Sequence, residues 1–397
     1  MGGLTHLIVF VSMFAAITLI SEAQYILPIF KDEPSKQYHT IVFTGSATSS
    51  SPVNLLLDLG TNLPWLNCRN IKSLSSLRVV TCQSSTCKSI PGNACDGKHC
   101  LYREPNPFLT NHTVTKTDRV VQDKATIFTT VNGQPPSLVS FSPFMFSCAV
   151  KKNLQGLASP IAGVLGLSPG EFPFWRQVTS AFNVVPKFAL CLPSSNIGKF
   201  YMGSTSSFNT PLFGGNNPVP MTMTPLKIAS GKYLISVESI YVDGVPLPLN
   251  PSLLEGGAKL STVVPYTVLQ TDIYNALAQS FTLKATKIGM TETTGHAPFK
   301  HCYEEGASGK NMDVSVMEIG LPGNGREVKW RFQGANMVER VSETVICLAF
   351  VDGGKNPNES MVIGTQQLQE YLIEFDFSTT RMAFSDPLVL HNTSCSR

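Results

Sequence analysis

VNLLLDLGTNLPWLNC, running from Val53 to Cys68, is the stretch on which the fold turns. Val53, Leu55, Leu56 and Leu57 make an apolar run of strand length, too short for a typical helix. Asp58 follows at once, and a carboxylate at the end of a buried run is costly unless something hydrogen-bonds it. Gly60 permits a tight return of the backbone, and Thr61 brings a hydroxyl next to the acid. Read alone, Asp-Leu-Gly is also what an ordinary turn after a strand looks like.

The same pattern returns further along the chain. Lys259 to Leu269 reads KLSTVVPYTVL, and the helix-patterned TDIYNALAQSF follows it. The short start of KLSTVVPYTVL ends at Ser261, followed by Thr262, Val263 and Val264, with no glycine. The missing glycine predicts a different turn from that after Asp58. Two further apolar segments, each closed by glycine, stand in matching places. They are IAGVLGL (Ile161 to Leu167) and MVIGT (Met361 to Thr365), the latter followed by strand-like sequence from Tyr371 to Phe377. Each half thus carries a polar loop after an apolar run and then an apolar–glycine segment, an internal duplication. Tyr38 to Phe43 alternates as a strand should, and the Ser/Thr-rich stretch ending at Pro52 reads as a hairpin loop. Tyr233 to Leu249 reads as two strands about an Asp243-Gly244 hairpin turn. Trp330 to Val341 and Val345 to Val351 read as strands, and Phe350 to Ser360 contains an exposed, turn-rich loop.

The chain has 397 residues, 43% hydrophobic and only 14% charged, with 30 glycines and 27 prolines, which suits a large β-rich globular protein and excludes disorder. The formal charge is +3, and no Lys/Arg cluster is interleaved with aromatics, so nucleic acid is not an expected partner. Residues 1–23 have an apolar centre from Leu7 to Ile20 and end Ser-Glu-Ala, the pattern of a secretory signal peptide. Cleavage would leave Gln24 first, and no later stretch is apolar enough to span a bilayer. The 10 cysteines all follow that segment: Cys68, Cys82, Cys87, Cys95, Cys100, Cys148, Cys191, Cys302, Cys347 and Cys395. An even number behind a signal peptide reads as a set of disulfides in an extracellular protein. No zinc-type spacing is present, and no metal or cofactor is expected. Asn111, Asn358 and Asn392 open glycosylation sequons.

Val53 to Cys68 resembles the first active-site loop of pepsin-like aspartic proteases, with Leu59 in place of the usual threonine. Ser261 stands where active members carry the second aspartate. The Cys82 to Cys100 insert resembles the cysteine-rich insert of plant nepenthesin-type proteases. After it, active relatives carry a Tyr-Gly flap tip, whereas this chain places Asn106 and Pro107 there, flanked by Pro105. The pieces LDLGTNLPWLNC, LQGLASPIAGVLGLSPGEFP, KLSTVVPYTVLQTDIYNAL, CLAFVDGGKNP and MVIGTQQLQEYLIEFD together resemble one plant group. It comprises the wheat-type xylanase inhibitors, the xyloglucan-endoglucanase inhibitors, the extracellular dermal glycoprotein and the basic 7S or γ-conglutin seed globulins.

The resemblance implies an all-β, bilobal pepsin-like fold of two pseudo-symmetric lobes with few short helices. It divides the chain into the signal peptide, an N-terminal lobe over residues 24–210 with the Cys-rich insert, and a C-terminal lobe over residues 211–397. It implies bridges Cys191–Cys395, Cys302–Cys347 and Cys68–Cys148, with Cys82, Cys87, Cys95 and Cys100 stapling the insert. Asp58 is then the remnant of a catalytic dyad that Ser261 cannot complete, so the expected function is binding rather than proteolysis. The expected partner is a microbial or plant glycoside hydrolase, an endoglucanase or xylanase, met in the apoplast. Two loops resemble those that block such enzymes, Gly289 to Phe299 and Lys355 to Ser360. Where glucanase-blocking relatives present arginines, this chain has Glu292 and Asn358, and His296 and Lys355 are the nearest replacement cations. Two other readings accompany this one: a working aspartic endopeptidase with a substitute acid, and a seed storage or small-peptide-binding globulin.

Overall fold

The computed structural model describes residues 23–45, 50–70, 76–103, 105–109, 118–131, 135–208, 218–305 and 314–396. The expected signal peptide up to residue 22, the sequon at Asn111 and the junction at 210/211 lie outside the described residues. Strands dominate, with four α-helices among the described residues, the longest being Thr271–Lys287.

The apolar runs become strands because their side chains are buried on both faces. Along Ser51–Asp58, Leu55, Leu56 and Leu57 are all fully buried, as expected of a strand sandwiched between layers. Ser51–Asp58 pairs antiparallel with Gln37–Thr44 on one side and parallel with Gly163–Gly166 on the other, with Gly166 opposite Asp58. Gly163–Gly166 is flanked in turn by Trp65–Leu66, running antiparallel, which lies parallel to Ser137–Cys148. The second half repeats this weave. Ala258–Leu260 runs parallel to Met361–Ile363, with Leu260 opposite Ile363. Thr267–Leu269 runs antiparallel to Met361–Ile363 and parallel to Phe350–Asp352. The duplication read in the sequence is therefore a duplication of topology.

Glycine closes both weaves because no side chain fits. A Cβ on Gly166 would lie 2.5 Å from the Thr61 carbonyl oxygen, and one on Gly364 would lie 2.8 Å from that of Val264.

A shared sheet joins the halves. Lys187–Cys191 of the first half pairs antiparallel with Leu372–Asp376 of the second, from Lys187 opposite Asp376 to Cys191 opposite Leu372. Aromatic side chains cover one face: Phe188 stacks on Phe375 at 4.6 Å and Trp175 on Phe377 at 4.0 Å. Such pairs contribute roughly 0.5–1.5 kcal/mol each beyond area burial. A Cys191–Cys395 disulfide fastens the C-terminus to this sheet. The other bridges are Cys68–Cys148, Cys82–Cys95, Cys87–Cys100 and Cys302–Cys347.

Three local readings need correction. Val345 to Val351 is not one strand: Val345–Leu348 pairs with Cys302–Glu304, and Phe350–Asp352 pairs with Thr267–Leu269 in another sheet. Trp330 to Val341 is not one strand: Glu327–Phe332 and Val338–Arg340 are separated by a single 3-10 turn, Gly334–Asn336. Gly289 to Phe299 is not loop throughout, because Thr291–Thr293 forms a strand paired with Cys302–Glu304. The Asp243-Gly244 turn is present as read, both residues taking positive φ (50° and 78°) between Ser239–Val242 and Val245–Pro246.

Candidate functional site

The end of the strand Ser51–Asp58 delivers Asp58 to the seam between the halves, 6% exposed. Its two oxygens are already engaged. Oδ1 accepts from the Gly60 amide at 2.7 Å, and Oδ2 accepts from the Thr61 hydroxyl at 2.6 Å. Burial pushes the carboxyl above its ordinary value, against the two hydrogen bonds and the positive charge of Lys259, which all pull it down.

Ser261 emerges from the matching strand, Ala258–Leu260, and is 3% exposed. Its Oγ accepts from the Val263 and Val264 amides at 3.4 and 3.3 Å. The expectation of a different turn is thus corrected. The second loop makes a hydroxyl-to-amide turn of the same kind, with Val263 in the place of Gly60. The first loop shows why: Gly60 does not take a positive φ, so its position does not demand glycine. The chemistry of the two turns differs: serine supplies one oxygen and no charge, so Ser261 and Asp58 cannot share a proton as two acids do.

Sequence reasoning missed Thr262. Its hydroxyl crosses between the halves, donating to the Leu57 carbonyl at 2.8 Å and accepting from the Leu59 amide at 3.1 Å. Leu59 has no hydroxyl to return the contact, so the coupling is one-sided. The signal was present: Leu59 breaks the motif at the position equivalent to Thr262.

The segment after the insert is held within the fold. Asn106, read as a flap-tip residue, is fully buried, and its amide nitrogen donates to the carbonyls of Asn153 and Gln155 at 2.7 and 2.9 Å. The Trp65 indole donates to the Pro105 carbonyl at 3.1 Å. Phe108 packs against the apolar cluster that contains Trp65, as does Val263 from the second half. Residues 105–109 are thus pinned to the first half through a buried amide.

The two candidate docking loops lie side by side. Lys300, just beyond the first, pairs with Asp352, just before the second, at 2.8 Å. Asp352 also accepts from the Thr271 hydroxyl at 2.7 Å and the Gly354 amide at 3.0 Å, and these contacts with Lys300 hold its carboxyl down at about 2. Gln270 caps the helix Thr271–Lys287 with its Oε1 and donates from Nε2 to the Lys355 carbonyl at 3.1 Å. Glu359 closes the loop through Lys232 at 2.5 Å. On this frame His296, Lys355 and Asn358 are exposed. Glu292 sits in the strand Thr291–Thr293 with its carboxylate 3.2 Å from His301 Nδ1. Asn392 is exposed too, in a left-handed conformation after the short turn Leu388–His391. No cluster of three or more His, Cys, Asp or Glu positioned for a metal occurs among the described residues.

Comparison with known proteins adds three kinds of match. Residues 34–204 match the family described as Xylanase inhibitor N-terminal, and residues 232–386 match Xylanase inhibitor C-terminal. The chain is 33% identical to "Probable aspartic proteinase GIP1" of Glycine max, over 97% of this chain and 94% of the relative. It is 34% identical to "Gamma conglutin 1" of Prunus dulcis, over 86% and 82% respectively. Among solved structures, "Crystal structure of edgp" superposes with a TM-score of 0.80 at 30% identity, covering 94% of this chain and 97% of that one.

Proposed function

The chain belongs to the xylanase-inhibitor family of pepsin-like aspartic-protease homologues, and from that membership we propose that it is a secreted, proteolytically silent protein that binds and inhibits a wall-degrading glycoside hydrolase. The observation that carries the silence is Ser261. An aspartic protease polarises water between two acids that share a proton. Here the second acid is a hydroxyl already committed to two backbone amides, and the two Asp58 oxygens are engaged by Gly60 and Thr61. General acid–base catalysis contributes about 10²–10⁴-fold, and its basis is gone.

The binding half of the reading draws support from the paired loops. Lys300, Asp352, Gln270 and the Lys232–Glu359 pair hold them before any partner arrives, which lowers the ordering cost of association. His296 and Lys355 offer exposed cationic groups to a carboxylate-lined cleft. Titration against a panel of purified xylanases and endoglucanases tests this reading. Stoichiometric loss of one hydrolase's activity supports it, and full activity across the panel overturns it. Pepstatin-sensitive cleavage of a denatured protein near pH ~3–4 would restore the endopeptidase reading. Secretion rests on the signal-like residues 1–23 and on ten cysteines paired in five bridges. N-terminal sequencing of extracellular protein should begin at Gln24.

The identity with a gamma conglutin favours one further reading, a seed or peptide-binding globulin. Seed accumulation together with capture of a cysteine-rich peptide, without hydrolase inhibition, would select it.

A further inference from the structure

On the face of the joining sheet turned away from its aromatic layer, four strands lie side by side: Met221–Pro225, Arg381–Ser385, Leu372–Asp376 and Lys187–Cys191. The register sets Arg381, Asp376 and Lys187 in one row across three strands. Met223, Ala383 and Glu374 form the next row, two residues along and therefore on the same face. Thr205 and Ser207 wall one side, and together these groups line a hollow of about 430 Å³.

The charges in this hollow are unequally satisfied. The Lys187 ammonium lies 3.1 Å from Glu374 Oε1 and 3.6 Å from Asp376 Oδ2. Glu374 Oε2 accepts from the Ser207 hydroxyl at 3.0 Å and the Phe208 amide at 3.1 Å. Asp376 Oδ1 accepts from the Ser378 and Thr379 amides at 2.8 and 3.2 Å. Both acids are therefore bonded within the protein. Arg381 differs: it is half-buried, it lines the hollow, and it enters no ion pair among the described residues. A guanidinium in such a place matches a planar carboxylate in two-point geometry. With Glu374 and Asp376 in the same hollow, a single negative charge meets less repulsion than a dianion such as phosphate. Met223, 46% exposed, and Ala383 offer an apolar floor beside the charge.

We propose that this hollow binds a small monocarboxylate bearing a short apolar group, with Arg381 as its counter-ion. The C-terminal carboxyl of a peptide and a free aliphatic acid share this chemistry. The proposal stands apart from hydrolase binding, since it uses none of the loop residues.

The test is a titration of the full chain, its methionine methyls ¹³C-labelled, with N-acetyl-leucine, N-acetyl-leucine amide, isobutyrate and inorganic phosphate. Saturable shifts at Met223 with N-acetyl-leucine, at least about tenfold weaker with the amide, are expected. Isobutyrate binding as well assigns free acids to the site, and its failure to bind assigns peptide termini. Arg381→Gln should abolish the shifts with an unchanged melting temperature. Arg381→Lys, which keeps the charge and loses the fork, should weaken them. If Arg381→Gln unfolds, Met223→Ala followed by calorimetry replaces it, with a several-fold weaker acid expected. Equal binding of acid and amide, tighter binding of phosphate, or no shift with either acid overturns the proposal.

Discussion

Asp58 and Ser261 occupy matching turns, yet only Asp58 can carry a charge, and burial opposes that charge. A carboxyl whose folded value lies above its unfolded one contributes stability that is complete below the unfolded value and is lost as pH rises through the folded value. Asp58→Asn is therefore expected to leave the melting temperature nearly unchanged in acid and to raise it progressively toward neutral pH, as scanning calorimetry across pH would show. A melting temperature lowered at neutral pH would mean that the Thr61 and Gly60 hydrogen bonds, with Lys259, outweigh burial. Thr262 makes the opposite case, since its hydroxyl serves two backbone groups of the other half. Thr262→Val keeps the shape and strands the Leu57 carbonyl and the Leu59 amide, each unpaired group costing about 1–3 kcal/mol. Urea unfolding should show a lower midpoint with an unchanged slope. At this scale the sequence was legible where a residue type is itself the chemistry, as with Asp58 and Ser261. It was silent on Thr262, whose role depends on which carbonyl lies across the seam, and on Asn106, whose burial reverses the surface role its position suggested.

The repeated weave of strands explains why glycine recurs in IAGVLGL and MVIGT. At Gly166 the obstruction is a backbone carbonyl, which cannot swing aside as a side chain can. Gly166→Ala is expected to cost about 1–3 kcal/mol or more by overpacking, and Gly364→Ala a similar amount. Equilibrium denaturation of both variants measures it, and a neutral Gly166→Ala would contradict the geometry. These segments could be read from sequence because apolar runs closed by glycine survive in both halves. The proposed docking loops could not be read so well: Glu292 looked like part of a loop, and only pairing with Cys302–Glu304 makes its stretch a strand. The Lys300–Asp352 tie was equally hidden, since it joins residues 52 apart. Asp352, held down at about 2, contributes stability that is present above its unfolded value and lost as pH falls toward 2. Lys300 is 61% exposed, so solvent screens the pair, and a double-mutant cycle of Lys300→Met with Asp352→Asn should return roughly 0–1 kcal/mol. The larger expected effect is on binding: loosening the tie should weaken hydrolase inhibition several-fold, mostly through faster dissociation in surface plasmon resonance.

Charge is divided unevenly across the whole molecule. Residues 24–210 hold 16 Lys and Arg against 8 Asp and Glu, a net +8, while residues 211–397 hold 14 against 18, a net −4. Many acids of the second half are paired, Glu305 with Arg340 and Glu318 with Lys329 and Arg331 among them. In the insert region, Lys88, Lys98 and Arg103 are exposed and enter no ion pair among the described residues. A hydrolase whose cleft presents carboxylates should therefore be drawn toward the first half at long range, while the docking loops lie in the second. This opposition makes the salt dependence of association diagnostic. Screening lengths shrink from about 30 Å at 0.01 M to about 8 Å at 0.15 M salt. Docking through residues 289–299 and 355–360 then predicts an association rate that holds steady or rises over that range, because the screened field is unfavourable there. A contact on the first half predicts a steep fall instead, the usual sign of attractive steering. Stopped-flow association at graded salt, with Lys355→Ala as the local control, separates the two. A steep fall that Lys355→Ala leaves untouched would move the docking surface off these loops and onto the basic half.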